Sequence, residues 1–170
     1  LANAGHEIYK GGITSAADLK AKLKSITPAN GTFGSAFETA TISNRKLARY
    51  YLRSMELASK NEAEPWHIPN DDRSAINLEH ILPEKPEGNW PAFSEDQVKL
   101  NYKRIGNLCL MRASDNSAAK SSAFEIKKPI FAASPYLLTR QIAEADDWSV
   151  ATIAARQKTL AAIALKTWPI

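Results

Sequence analysis

Apolar positions recur every three or four residues along much of the chain. Over residues 43–60, Leu47, Tyr50, Tyr51, Ser54, Met55 and Ala58 keep that spacing, which predicts an amphipathic helix capped by Ser43 or Asn44. Residues 15–25 predict a shorter helix with Leu19, Leu23 and Ile26 on one side. Residues 149–167 predict a long Ala-rich helix on which Ile153, Arg156, Leu160, Ile163 and Ala164 share a face. Ser94-Glu-Asp-Gln97 has the capping-box pattern and predicts a helix to about Lys103. Ser114-Asp-Asn-Ser117 is a further start signal, leading into Ala118, Ala119 and Lys120, and residues 134–145 form one more helical piece beyond Pro129. Residues 1–14 carry no period, 28–31 read as a turn, and 61–75 and 84–91 read as loops.

Two stretches break the helical period. Residues 76–81 and 104–111 are short apolar runs that predict strands. A lone two-stranded hairpin is not stable in water, so it must pack on helices from both ends of the chain. The expected class is α+β, with a strand–loop–strand–helix unit embedded in helices. Residues 1–34 are expected to form an N-terminal segment with a short helix, and 35–170 the main domain.

Composition adds little until charge is placed along the chain. With 170 residues and 44% hydrophobic content the chain can bury a sizeable core. A single cysteine, Cys109, excludes an internal disulfide and a cysteine-based zinc cluster. No apolar run approaches a membrane span and no export signal is visible, so a cytoplasmic protein without membrane contact is expected. The chain begins at Leu1 rather than Met and is expected to be a piece of a longer protein. The net charge of +4 is unevenly spread: residues 56–96 carry ten acidic and three basic side chains, whereas 99–128 carry seven basic and two acidic ones. Basic stretches facing an acidic one suit a phosphate-bearing partner beside a cation site.

The acidic segment ends in Glu79-His80, at the end of the first strand. Neighbours on a regular strand face opposite ways, so the two converge only where the strand twists or stops, and Pro83 makes a stop there plausible. Asn107 stands in the second strand, a site where Asn is uncommon, and its amide can bond the backbone of a neighbouring loop. Asn116 falls in the first turn of the next helix, with Lys120 one turn on along the same face. A carboxylate and an amide oxygen suit Mg²⁺ or Mn²⁺. Histidine is the natural general base near neutral pH, and a lysine neutralises a phosphate oxygen. Together these are parts for metal-assisted phosphodiester hydrolysis.

The strings Leu78-Glu-His-Ile-Leu-Pro83, Gly106-Asn-Leu-Cys-Leu110 and Asp115-Asn116 resemble the HNH (His-Me finger) nucleases, and most closely the C-terminal domain of GmrSD-type restriction endonucleases. Lys46-Leu-Ala-Arg-Tyr-Tyr-Leu upstream, and Trp148, Arg156, Leu160 and Trp168 downstream, extend the resemblance over roughly 35–170. It implies a ββα-metal core and a divalent-metal-dependent DNA endonuclease that nicks or cuts as the effector of a phage-defence restriction system. His80 then corresponds to the general base, Asn107 to the residue that orders its loop, and Glu79 and Asn116 to the ligands of Mg²⁺ or Mn²⁺. Lys120, Arg112 and Arg104 are candidate DNA contacts. Implied partners are DNA, an N-terminal nucleotide-hydrolysing sensing domain of the same larger protein, and a second copy. No histidine follows His80, which argues against a tightly held transition metal.

Other residues take blander readings. Trp66, Trp90, Trp148 and Trp168 are expected to pack, with Trp90 the one candidate for base stacking; His67 is expected to pack in its loop, and Cys109 to fill a strand. Two rival functions stand beside the nuclease: a DNA-binding module of the same fold without catalysis, and a protein-interaction scaffold.

Overall fold

The computed structural model describes residues 1–60, 75–115 and 121–169. Its elements are α1 (Ala2–Tyr9), α2 (Ala16–Leu23), α3 (Asn30–Phe37), α4 (Arg45–Lys60), β1 (Ile76–His80), α5 (Glu95–Asn101), β2 (Leu108–Arg112), α6 (Phe124–Ala132), α7 (Leu137–Arg140) and α8 (Val150–Thr167). The class is α+β: helices around a two-stranded antiparallel sheet. No described helix is long and apolar enough to cross a membrane.

The sheet separates two cores. Ile76 pairs with Arg112, Leu78 with Leu110, Glu79 with Cys109 and His80 with Leu108. Side chains alternate across a strand, and here both faces are covered. Ile76, Leu78, Leu108 and Leu110 meet Leu52 and Met55 of α4, Phe37 of α3 and Leu160 of α8. Cys109 and Met111 meet Ile81, Leu82, Trp90, Phe93, Phe124, Phe131, Trp148 and Ile153. This double burial explains why residues 108–111 read as an unbroken apolar run.

Helix α8 locks onto the entrance to β2. A 3₁₀ turn, Ile105–Asn107, lies against it. Gly106 sits so close that a Cβ there would meet the Ile153 carbonyl oxygen at 2.4 Å. Gln157, fully buried, accepts from Arg104 Nε at 2.9 Å and Gly106 N at 3.3 Å, and donates to the carbonyls of Phe37 and Ala40 at 2.9 and 3.0 Å. Arg156 Nη1 donates to the carbonyls of Gly106 and Leu108 at 2.7 and 2.9 Å. One helix thus bonds the turn, β2 and the end of α3.

Several expectations shift. Residues 1–14 contain α1, and the segment read as a turn at 28–31 opens α3, whose Phe37 is buried. Neither helix shows a strong apolar stripe of its own. The buried face of α4 is Ala48, Leu52, Met55, Glu56 and Leu57, rotated from the expected one, with Leu47 and Tyr50 exposed. Glu56 is buried because it caps α7, accepting from Leu137 N at 2.6 Å and Leu138 N at 2.8 Å. Asn107 ends the 3₁₀ turn just before β2 instead of lying inside the strand. Helix α6 runs through Pro129 rather than starting beyond it. A proline interrupts one backbone bond of a helix, and here Phe124 and Phe131 are buried on either side of it.

Candidate active site

The exit of β1 is held by side chains from two directions. Asn107, with no exposed surface, makes the clamp from the 3₁₀ turn that leads into β2. Its Oδ1 accepts from Leu82 N at 2.8 Å and Trp148 Nε1 at 2.9 Å, and its Nδ2 donates to the carbonyls of Leu82 at 2.8 Å and Tyr102 at 3.2 Å. Ile81 N donates to the Asn107 carbonyl at 3.0 Å. Both ends of the amide are thereby bonded to the loop and its neighbours, and both Nδ2 donors are used.

The second clamp is Lys127 of α6. Its ammonium is 0% exposed and donates to Glu79 Oε1 at 2.7 Å and to the carbonyls of His80 and Ile81 at 2.9 and 3.1 Å. An ammonium has three N–H donors, and all three are used. Sequence reasoning missed this residue. Its signal was the spacing Phe124, Lys127, Phe131, a lysine standing on the buried stripe of its own helix.

Glu79 and His80 face different neighbours. Glu79, 9% exposed, shares the Cys109 face and turns to Lys127. Burial pushes its carboxyl upward, and the Lys127 ammonium opposes that shift. The His80 ring lies on the other side, 5.9 Å from the ring of Tyr102. Burial pulls its imidazole down to about 4, and the charge of Arg45 adds to this; Glu84 acts the other way, and Lys127 and Lys103 add smaller depressions. At neutral pH the ring is therefore uncharged, and burial and the neighbouring cations oppose its taking up a proton.

Those cations were also missed. Lys103 Nζ lies over the Tyr102 ring at 5.1 Å from its centre, so His80, Tyr102 and Lys103 form a continuous group. Arg45 opens α4, which follows a segment tied to residues 103–104: Ile42 N donates to the Lys103 carbonyl at 2.9 Å, and Thr41 bridges to Arg104. Arg45 and neighbouring Lys46 stand at the positive end of their helix, where cations are locally unfavourable by about 0.3–1 kcal/mol each. Helix stability alone does not explain them.

Two of the expected DNA contacts are described. Arg104 donates through Nε to Gln157 at 2.9 Å and through Nη2 to the Glu38 carbonyl at 3.0 Å. Arg112 is exposed and pairs with Ile76 at the opposite end of the ribbon from His80, roughly 13 Å away at a strand rise of about 3.3 Å per residue. Asn116 and Lys120 lie outside the described residues, as do Trp66 and His67. Trp90 is 5% exposed and packs edge-on against Phe93, an arrangement of core packing.

A divalent cation places specific demands on such a site. Mg²⁺ keeps several waters and takes one or two protein carboxylates with substrate phosphates. Glu79 fits that role only in kind: it is a hard oxygen donor, but it lies on the opposite face of β1 from the His80 ring, with one oxygen bonded to Lys127. Among the described residues no three His, Cys, Asp or Glu side chains gather around a common point, so a metal cage built wholly from protein is not present there.

No curated protein and no solved structure matches the chain. A family model does match, over residues 27–163, and it spans α3 to α8, the turn on Gly106, the Asn107 clamp and Lys127. The chain belongs to the family of C-terminal domains of GmrSD restriction endonucleases.

Proposed function

We propose that this domain is a DNA endonuclease, the effector part of a restriction enzyme, and that His80 is its general base. The observation that carries the reading is the His80 imidazole on a doubly clamped strand end, against the Tyr102 ring over which Lys103 lies, with the charge of Arg45 acting on it. In this reading β1, β2 and the helix expected from Ser114 form a ββα-metal core of the HNH type. A phosphodiester seated against Arg45 and Lys103 brings negative charge to His80 and raises the proton affinity of its imidazole. The ring takes a proton from a water as that water bonds to phosphorus, and the bond to the leaving oxygen breaks. The cations offset the charge that builds on the phosphoryl oxygens. A divalent ion, Mg²⁺ or Mn²⁺, held by Glu79 and Asn116, would supply stabilisation of the leaving oxygen. Asn107 keeps the loop in register, and Lys120 is a further phosphate contact. The substrate strand is delivered by a sensing domain in the same larger protein, and a second copy would cut the second strand.

The test is relaxation of supercoiled plasmid in Mg²⁺ by the wild type and by His80→Ala. Loss of a general base lowers rates by about 10²–10⁴-fold. Equal relaxation by both proteins removes His80 from the role. A wild type that binds DNA with steep salt dependence but never nicks it is instead a DNA-binding module of this fold.

A further inference from the structure

We propose that Lys127 is a positioning residue of the reaction, setting the Glu79 carboxylate and the His80 backbone in place through three bonds from one buried ammonium. The inference rests on the reading of His80 and Glu79 as reactive groups. Its ground is the cost and the targeting of this side chain. An ammonium with no exposed surface is among the least favourable groups to bury, and a well-packed apolar residue often stabilises such a position more. Phe124 and Phe131 on the same stripe show that an apolar side chain suits this face of α6.

The three acceptors belong to consecutive residues, Glu79, His80 and Ile81, lying 48, 47 and 46 positions earlier in the chain. They bracket the candidate base. Asn107 serves Leu82 and the amide of Ile81 but neither of these two carbonyls. The two clamps therefore divide residues 79–82 between them. Lys127 governs where the strand stops being a strand, and with that the direction in which Glu79 and His80 leave it. A buried ammonium has to satisfy all three N–H groups, and what ties this one to the site is that its three acceptors are consecutive residues centred on His80.

The experiment compares Lys127→Met, which keeps the length and loses the donors, with Lys127→Arg. Arginine keeps the charge, but its planar fork cannot direct three N–H groups at the same three acceptors. Leu160→Ala, a cavity in the opposite core, serves as the control for destabilisation alone. Single-turnover plasmid nicking in Mg²⁺ is read at a temperature where each variant is folded by circular dichroism. The His80 ring resonances are read by NMR without metal. The expected result is a rate at least 100-fold lower for Lys127→Met and at least tenfold lower for Lys127→Arg, with DNA affinity within threefold of wild type and His80 resonances displaced in both. Leu160→Ala should keep its rate within threefold and its His80 resonances in place. If Lys127→Met does not fold, Lys127→Arg decides.

A folded Lys127→Arg protein with the wild-type rate and unmoved His80 resonances overturns the proposal. A wild type that never nicks DNA removes the nuclease reading instead. The NMR comparison then still decides whether Lys127 sets the His80 position: displaced resonances sustain it and unmoved ones overturn it.

Discussion

Substituting Gly106 by alanine tests the packing that carries the site. The added Cβ would lie 2.4 Å from the Ile153 carbonyl oxygen, 2.8 Å from Gln157 Cβ and 3.1 Å from Gln157 N. Ordinary contact begins near about 3.4 Å, so turn and helix must part by about 1 Å. Two of the three neighbours are backbone atoms in the interior of α8, which cannot move aside as a side-chain tip can. Parting them stretches the bond from Gly106 N to Gln157 Oε1, already 3.3 Å, and that from Arg156 Nη1 to the Gly106 carbonyl at 2.7 Å. Overpacking costs about 1–3 kcal/mol and each of the two lost hydrogen bonds about 0.5–1.5 kcal/mol, which together give about 2–6 kcal/mol. For a domain of this size that lowers the melting temperature by roughly 4–24 °C. Urea unfolding followed by circular dichroism gives the free energy, and plasmid nicking well below the melt gives the consequence for Asn107 and His80. Gly5→Ala is the control: a Cβ there meets nothing within 4 Å, and alanine inside a helix is neutral or stabilising by up to about 1 kcal/mol. If Gly106→Ala costs less than about 1 kcal/mol, the close approach of turn and helix is wrong.

Three other outcomes follow from the same geometry. Asn107→Asp keeps one oxygen, loses both Nδ2 donations and buries a charge, so it should destabilise by about 3–5 kcal/mol and abolish nicking, read by urea unfolding and the plasmid assay. Arg45→Ala should weaken DNA binding and reduce the slope of log affinity against log salt by about one unit, measured by fluorescence anisotropy in a His80→Ala background; an unchanged slope removes Arg45 from the phosphate contacts. Burial pushes the Cys109 thiol from 9.0 up to about 12, so its protonated form favours the fold. That contribution is complete below pH 9 and is lost as pH rises towards 12, by up to about 4 kcal/mol. The wild type should accordingly lose more stability than Cys109→Val over that range in thermal melts, and a parallel decline of the two would refute it.

The candidate site was partly legible because some of its chemistry is local. A histidine beside a carboxylate at a strand end, and an asparagine where the chain should have run apolar, are visible without coordinates. The asparagine's use as a loop clamp followed from its four hydrogen-bonding capacities, and the bonds to Leu82 and Tyr102 realise that use. Arg104 shows the converse. Its charge made it a candidate phosphate contact, and nothing local announced that its Nε would donate to Gln157, 53 positions away. Lys127 stood in plain view on an apolar stripe, but nothing local says whether such a lysine snorkels to solvent or finds a buried partner.

Periodicity and capping operate within a few residues, so the sequence alone determined α4, α5, α8, the two strands and the place of Glu79 and His80 at a strand end. Helices α1 and α3 escaped it because short segments without a strong stripe form only when a neighbour covers them, as Leu165 of α8 covers Gly34. Which face of α4 is buried, which cations surround His80 and which ammonium meets Glu79 were decided only in three dimensions. Those choices depend on groups far apart in the chain arriving at bonding distance, 48 positions for Lys127 and Glu79 and 82 for Leu138 and Glu56, and no local preference encodes that arrival; it is set when two apolar cores close on opposite faces of one small sheet.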